Sequence, residues 1–354
     1  MVKFAKMYTR EILPPRTSPV EDRNPVFGTW GRPFEKVDLL EIYRPYKYPL
    51  PRWAVNFRIK ERQCFYVQNS QFIMEAVFCN FKFFKIAMIL FYDKKNSEKH
   101  FFRMIKSGSG WTLPYNLDNS SFISSSKSFY FRIHNWLNIN TIKLDIYIEA
   151  AHRKPQLTVH LAFDTSRETS PMAVSMSVTP QRNIYAFKTL SPVRGDIVLG
   201  GKHFNLKCEN CSGFFCDYKG FYPFRTQTII CAAMGFCEKN RRFGFHIAEN
   251  QTRDTNKSNE NALWVDGKLT PLPPVVITMP NGLESDWVIQ DVEGMIDLTF
   301  TPQDQNKSML AFFITYFEFH APLGYYNGVL VDSEGEKIQI KNLFGSGEKI
   351  NVRV

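Results

Sequence analysis

The chain has 354 residues, of which 44% are hydrophobic and 22% are charged. This length favours two domains over one, and the 32 phenylalanines predict a large aromatic core. Seven cysteines, an odd number, argue against a secreted disulfide framework, so reduced thiols are expected.

The net charge of +10 is unevenly distributed along the chain. Residues 1–190 hold 28 Lys and Arg against 15 Asp and Glu, whereas the remaining residues hold 16 against 19. Such an excess indicates either an anionic partner, such as a membrane surface or nucleic acid, or only a solvated basic face. Nucleic acid is the less expected partner because no aromatic base-stacking motif accompanies the charge.

The first 25 residues contain no apolar segment of the length that a secretory signal needs, so a cytoplasmic location is expected. The longest apolar stretch, residues 72–92, is interrupted by Glu75, Lys82 and Lys85. Because a membrane-spanning helix needs about 20 mostly uncharged residues, this stretch predicts two strands around a turn.

Alternation of apolar and polar residues with period two predicts further strands in both halves of the chain. The clearest cases are TIKLDIYIEA at 141–150, QLTVHLAF at 156–163, RFGFHIAEN at 242–250 and EKIQIKNL at 336–343. No stretch of a dozen residues shows helical spacing with caps, so helices should be few and short.

Turn signals separate these runs: DG at 266, NG at 281, EG at 293 and 334, and FGSG at 344. The serine-rich stretch 119–128 is expected to be an exposed loop. Prolines and glycines after the last alternating strand of the first half place a domain boundary between residues 190 and 191. Many strands with such turns predict an all-β barrel or sandwich.

Seven strings occur in the order found in one known family. They are WGRPFEKVDLL, RWAVNF, GSGWTLP, DYKGFYPFRT, ENALWVDGK, DWVIQDVEGMIDLTFTP and GYYNGVLVDSEGEKIQIKNLFGSGE. In these strings the chain resembles the family called domain of unknown function 2804. That family is distantly similar to the group of carotenoid 1,2-hydratase, tocopherol cyclase and survival-factor proteins.

The resemblance implies two lipocalin-like (calycin-type) antiparallel β-barrels in tandem, and a lipid or isoprenoid ligand. It implies no reaction, because fold alone does not fix function. The chain departs from the family's usual pattern after PFRT, where QTIICAAMG replaces an aromatic continuation, and in its cysteines at 208, 211 and 216.

The stretch FCDYKGFYPFR, residues 215–225, places charge inside an apparently buried strand. If Asp217 faces an apolar cavity, burial raises its pKa and makes it a proton donor for hydration or cyclisation of a double bond. Aromatic side chains could then stabilise the carbocation or bind the ligand: Tyr218, Tyr222, Trp264 and Trp287. Alternatively, Arg225 pairs with Asp217 as a structural ion pair or binds a ligand's polar head.

Further candidate residues lie in the second half. Glu260 is a candidate second acid and Asn261 a candidate to orient water, although loop capping explains both. His320 is a weaker candidate ligand contact, and His246 a weaker one still. Glu348 is expected to pair with an arginine of the first domain such as Arg32.

The cysteine spacing is compatible with a zinc site. Three of its ligands would be Cys208, Cys211 and Cys216, and the fourth would be Cys231, Cys237 or His203. The second group lacks a zinc-binding spacing, so no metal is expected. No nucleotide-cofactor, serine-hydrolase or zincin motif is present, and no cofactor is expected.

Three functions stay open at this point. The first is binding of a hydrophobic molecule, a lipid or isoprenoid, in a barrel cavity. The second is a hydratase, cyclase or isomerase on the same scaffold, with Asp217 as proton donor. The third is binding of an anionic surface or nucleic acid through the basic half.

Overall fold

The structure is a computed structural model that describes residues 8–108, 112–151, 154–166, 169–237, 240–312 and 315–353. Three residues of the GSGWTLP string, 109–111, lie outside this set. Within it the only α-helix is α1 (Arg52–Arg58), and two short 3-10 turns accompany it. No described helix has both the length and the apolar character needed to cross a bilayer.

The first sheet has thirteen strands and follows a small hairpin of β1 (Val20–Glu21) and β2 (Asn24–Pro25). Its strands are β3 (Gly28–Trp30), β4 (Lys60–Gln68), β5 (Phe72–Asn80), β6 (Phe84–Asp93), β7 (Glu98–Ser107), β8 (Ser120–Ser125), β9 (Phe129–Trp136), β10 (Thr141–Ile148), β11 (Leu157–Asp164), β12 (Met172–Thr179), β13 (Arg182–Leu199), β14 (Lys202–Leu206) and β15 (Ser212–Gly220). The main path runs β7-β6-β5-β4-β15-β13-β11-β10-β9-β8, while β12 and β14 also pair with β13, and β3 pairs with β12.

The second sheet has eleven strands. They are β16 (Arg225–Phe236), β17 (Arg242–Glu249), β18 (Ala262–Val265), β19 (Lys268–Pro271), β20 (Val276–Thr278), β21 (Trp287–Gln290), β22 (Ile296–Asp304), β23 (Lys307–Phe312), β24 (Thr315–His320), β25 (Leu323–Val331) and β26 (Lys337–Arg353). Both sheets are antiparallel and curled into half-barrels, which confirms the prediction of an all-β fold with two barrel-like units and few helices.

Each sheet encloses a core of its own. Phe65, Phe131 and Phe215 belong to the core of the first sheet, and Trp287 and Phe300 belong to that of the second. These aromatic side chains fill the interior of the half-barrels, so the aromatic core predicted from composition is present in both.

A third apolar cluster joins the two sheets. Phe84, Met88 and Phe214 of the first sheet pack in it with Trp264 and Phe317 of the second. Strands that lie between this contact and the core of the first sheet are buried on both faces, and β5 and β15 are buried at every residue. This explains why residues 72–92 form an almost unbroken apolar run, and it confirms the two strands predicted there.

The outer strands β10 and β11 alternate as predicted, with Ile142, Leu144 and Leu161 buried and the intervening side chains facing outward. The DG turn is also confirmed, since Asp266 and Gly267 both have positive φ angles, of 50° and 79°, between paired strands.

Two local predictions are wrong. The FGSG string at 344–347 is not a turn but part of β26, where a Cβ on Gly345 would lie 2.5 Å from the Ala232 carbonyl oxygen. These glycines permit close packing instead of chain reversal. The serine-rich stretch forms β8, because Phe122 and Ser124 turn inward while the other serines face solvent.

The expected domain boundary between residues 190 and 191 falls inside β13, which runs unbroken from 182 to 199. The chain passes from the first sheet to the second between Gly220 and Arg225. A division made by sheets would therefore fall later in the chain than the predicted one.

Candidate functional site

The FCDYKGFYPFR stretch forms the end of β15 and the short link to β16, so it carries the chain from one sheet to the other. Alternation along β15 sends its side chains to opposite faces. Phe215 and Asp217 point into the core of the first sheet, whereas Cys216 and Tyr218 point into the contact between the sheets.

Asp217 is buried and accepts a hydrogen bond from Gln63 Nε2 at 2.8 Å. Burial raises the pKa of its carboxyl to about 6, while nearby Lys219 and the bond from Gln63 oppose this rise. The expected ion pair with Arg225 is not formed, because Arg225 is exposed at the start of β16 and has no ion-pair partner among the described residues. Gln63 lies opposite Asp217 in the β4–β15 register and is its actual partner.

A cavity of about 90 Å³ lies at the contact between the sheets. Most of its wall is apolar, from Val77, Phe81, Met88, Ile184, Ile230, Phe317, Phe319, Ile350 and Val352. Its polar lining includes Arg62, Tyr218, Tyr222, Asn250 and Glu260. Three candidates chosen from the sequence, Tyr218, Tyr222 and Glu260, are therefore brought together in one cavity.

Tyr218 is the most informative residue of this wall. Its hydroxyl is buried and has no hydrogen-bond partner among the described residues. The Arg62 guanidinium lies 5.9 Å from the centre of its ring and the Lys188 ammonium 5.8 Å. Burial, reinforced by the charge of Glu260, holds the pKa of Tyr218 well above its usual value, so the hydroxyl keeps its proton at neutral pH.

Glu260 is held by a buried polar network. Its carboxylate lies 2.7 Å from Lys188 Nζ and accepts a hydrogen bond of 2.7 Å from Asn250 Nδ2. Lys188 also donates to His246 Nδ1 at 2.7 Å and to the Glu260 carbonyl oxygen at 2.9 Å. These bonds join β13 of the first sheet to β17 and the entry of β18 in the second.

The lysine determines the state of His246. An ammonium group can only donate, so Nδ1 accepts and the proton of the neutral ring lies on Nε2. Burial, and then the charge of Lys188, lower the pKa of His246 well below its usual value. This histidine is therefore a neutral acceptor that orients Lys188.

A second network crosses the same contact. Arg62 Nη2 lies 2.5 Å from Glu348 Oε2, and Tyr66 donates a short hydrogen bond to the other carboxylate oxygen. Glu348 is only 1% exposed. The prediction that Glu348 pairs with Arg32 is wrong, since Arg32 is exposed, but Arg62 is likewise an arginine of the first sheet.

Glu75 lies beside this second network. Burial, and then the negative charge of Glu348, raise the pKa of Glu75 to about 8, while a hydrogen bond with Ser346 opposes the rise. Glu75 is thus a neutral acid at neutral pH, which spares the contact a second buried negative charge next to Glu348.

The other predicted residues lie elsewhere. The Asn261 side chain is buried. Its Oδ1 accepts a hydrogen bond from the Ala248 amide, and its Nδ2 donates one to the Pro273 carbonyl oxygen. The indoles of Trp264 and Trp287 donate to the carbonyl oxygens of Ser170 and Leu283. His320 lies 3.0 Å from Glu318, on the face of β24 opposite the cavity-lining Phe317 and Phe319. None of these four is among the cavity-lining residues.

The cysteines do not converge. Cys211 belongs to the core of the first sheet and Cys216 to the contact between the sheets, since they lie on opposite faces of the same region. Over the described part of the chain, no group of three or more His, Cys, Asp or Glu side chains could hold a metal ion.

Sequence reasoning missed Arg62, Tyr66, Glu75 and Lys188. Two of them, Glu75 and Lys188, are charged residues inside otherwise apolar stretches, FIMEAVFCN and YAFKTL. In a strand that is buried on both faces, such a charge must have a buried partner. A single charged residue in a continuous apolar run therefore indicates a buried charge with a partner in the protein.

Comparison with known proteins adds a family and two similar folds. The family model described as Domain of unknown function (DUF2804) matches residues 24–353. A Nitrosomonas europaea protein assigned as an AttH is 11% identical, with 87% of this chain and 98% of that chain covered and a TM-score of 0.48. Kievitone hydratase from Nectria haematococca is also 11% identical, with 83% and 88% covered and a TM-score of 0.43. No curated protein matches the chain.

Two tyrosine-to-phenylalanine variants should differ in stability. Tyr66→Phe removes the donor to the buried Glu348 carboxylate, which should lower the free energy of unfolding by about 1–3 kcal/mol. Tyr218→Phe removes a buried hydroxyl that has no hydrogen-bond partner among the described residues, so in the ligand-free protein it should raise this free energy by about 1–3 kcal/mol. Urea unfolding measures both, and equal losses would contradict the assigned contacts.

Glu75 should make stability depend on pH. Its folded pKa of about 8 lies above the ordinary glutamate value of 4.5, so the folded state holds more protons than the unfolded state between these pH values. Stability from this group is therefore present at low pH and lost as pH rises towards 8. The difference in unfolding free energy between wild type and Glu75→Gln should fall by up to about 1.4 kcal/mol per pH unit. Parallel pH curves for the two proteins would refute this.

Proposed function

We propose that this chain, which belongs to the DUF2804 family, binds a mainly apolar molecule carrying one polar group in the cavity between its two sheets. A lipid or isoprenoid alcohol is the favoured class of ligand. The observation that carries the proposal is the Tyr218 hydroxyl, which is buried on the wall of a mostly apolar cavity and has no hydrogen-bond partner in the part of the chain that the structure describes.

The energetic argument starts from that hydroxyl. A buried polar group without a hydrogen bond costs about 1–3 kcal/mol, so Tyr218 lowers stability unless something in the cavity bonds to it. A ligand oxygen that accepts from Tyr218 would remove this cost. Because Tyr218 keeps its proton, it suits an alcohol, ether or carbonyl oxygen equally well.

The rest of the wall fits the remainder of such a molecule. The aliphatic side chains Ile184, Ile230 and Val352 and the rings of Phe317 and Phe319 offer no hydrogen bonds. Arg62 and Glu260 already have buried partners of opposite charge in the two networks. Glu61 is paired with Lys82, and burial lowers the pKa of Lys60, the remaining basic residue of the lining, to about 7. The site therefore favours a neutral ligand over one with a full charge.

The binding experiment compares short isoprenoid alcohols, of about five carbons as the cavity volume of about 90 Å³ allows, with hydrocarbons of the same length. Tyr218→Phe should weaken binding of the alcohols about fivefold, the value of one hydrogen bond, and leave binding of the hydrocarbons unchanged. Titration calorimetry measures the affinities. Mass spectrometry of an organic extract of the gently purified protein would identify a bound natural ligand.

Two further variants serve as controls. Ile230→Trp should fill the cavity and abolish binding of both classes, whereas Tyr325→Phe alters a tyrosine outside the cavity and should bind like wild type. If Ile230→Trp remains folded and binds normally, the ligand occupies another place and the proposal fails.

A second candidate is proton transfer on the bound molecule, as in an isomerase. It is favoured by one observation: the ion-paired Glu260 carboxylate, a proton acceptor, lines the same cavity as the protonated Tyr218 hydroxyl, a donor. Asp217, the donor expected from the sequence, lies on the other face of β15 and would act towards the interior of the first sheet.

Proton transfer is tested by incubating the protein in D₂O with unsaturated isoprenoid alcohols and measuring deuterium uptake by mass spectrometry. Wild type should exchange, whereas Glu260→Gln and Tyr218→Phe should lose at least about tenfold in rate and Asp217→Asn should not. If only Asp217→Asn loses deuterium exchange, the reaction takes place in the interior of the first sheet instead. Absence of exchange in every protein would leave binding alone.

A further inference from the structure

Residues 43–58, here called the aromatic segment, have an unusual composition. They hold five aromatic and four basic residues and no acidic residue. Three prolines limit the freedom of the first half, and α1 forms the second. Most of the aromatic side chains are exposed instead of packed into the protein.

Two of these side chains are almost fully exposed. Trp53 is 75% accessible and Tyr48 71%, and Tyr43, Leu50 and Phe57 are each more than two-fifths accessible. Single exposed apolar residues are ordinary, but five on one short segment form a patch of the kind that marks an interaction surface.

The segment is nevertheless fixed to the first sheet. Val55 and the adjoining Ile42 and Ile59 are buried in the core of that sheet. Tyr46 packs edge-on against Phe221, with ring centres 6.1 Å apart. These contacts hold the backbone in place, so Tyr48 and Trp53 project from a firm base.

The charge around the patch is positive. Arg44, Lys47 and Arg52 are exposed between the aromatic side chains. Two acidic residues, Asp38 and Glu41, lie just before the segment. Lys36 Nζ lies 3.6 Å from Asp38 Oδ2 and 2.5 Å from Glu41 Oε1. Arg52 Nη2 lies 3.9 Å from the same Asp38 oxygen. Because both acidic residues already pair with basic side chains, the surface keeps a net positive charge.

We propose that the aromatic segment is a docking surface for an anionic phospholipid membrane. Trp and Tyr side chains favour the headgroup level of a bilayer because their rings are apolar and their edges polar. Neighbouring Lys and Arg side chains are attracted to anionic headgroups, with about fivefold in affinity for each one near the surface. The segment combines both and places them on a rigid support.

The position of the segment also relates the membrane to the cavity. Phe57 stacks on Phe83 with ring centres 5.9 Å apart, and Lys60, just beyond α1, lines the cavity. Docking through this segment would bring that side of the cavity towards the lipid surface. The docking surface itself does not depend on what the cavity binds.

Nucleic acid is the competing partner for a basic aromatic surface. Phosphate contacts and stacking on Trp53 or Tyr48 could hold a single strand. The membrane is favoured because Leu50 and Phe57 extend the patch with apolar area that bases and phosphates do not need.

The test is sedimentation of the full chain with vesicles. Wild type should bind vesicles of phosphatidylcholine with about 30% phosphatidylserine, and high salt should weaken this binding. The variant Tyr48→Ser/Trp53→Ser should lose at least about tenfold in partition coefficient. Lys47→Glu/Arg52→Glu should lose more than about twentyfold, because two attractions become repulsions.

Controls alter similar side chains elsewhere. Tyr147→Ser/Val292→Ser removes two exposed apolar groups, and Lys337→Glu/Lys341→Glu reverses two charges on the second sheet. Both should bind vesicles like wild type. The proposal is overturned if wild type does not sediment, if these controls lose as much as the segment variants, or if the segment binds a single-stranded oligonucleotide and no vesicles.

Discussion

Burial of both faces of the central strands of the first sheet is the constraint on which the rest of the molecule depends. One face of β4, β5 and β15 covers that sheet's own core, and the other is covered by the second sheet. Almost every side chain on these strands is buried, so the charged groups among them need partners inside the protein. The two networks around Glu260 and Glu348 meet this requirement.

Those networks tie the sheets together in one register. Removal of one partner from a buried ion pair typically costs about 3–5 kcal/mol, because the other charge is left uncompensated. A shift of one residue between the sheets would leave Lys188 and Arg62 buried without their partners. The Tyr218 hydroxyl lies on the same face, is buried and has no hydrogen-bond partner among the described residues, so neither network includes it.

Much of the fold could be read from the sequence, because strands with one solvent face alternate and turns such as Asp266–Gly267 have a local signature. The FGSG string was wrongly predicted to be a turn. Its glycines are needed for close packing against the Ala232 backbone, which lies more than a hundred residues earlier in the chain. The alternative in which Arg225 pairs with Asp217 failed for a similar reason. The true partner of Asp217, Gln63, is set by the pairing of β4 with β15, which no nearby residue indicates. Tyr218 and Tyr222 were chosen from the string at which the chain crosses between the sheets, and Glu260 from the string that leads into β18.

The last strand, β26, carries Glu348 to the contact, whereas its partners Arg62 and Tyr66 lie in β4, among the first strands of the chain. During synthesis, the ribosome therefore adds 286 residues after Arg62 before Glu348 can neutralise its charge. Until then the outer face of the first sheet presents an unpaired guanidinium beside exposed phenylalanines. A nascent chain in this state needs protection from aggregation, and truncation near the C-terminus would leave it there permanently.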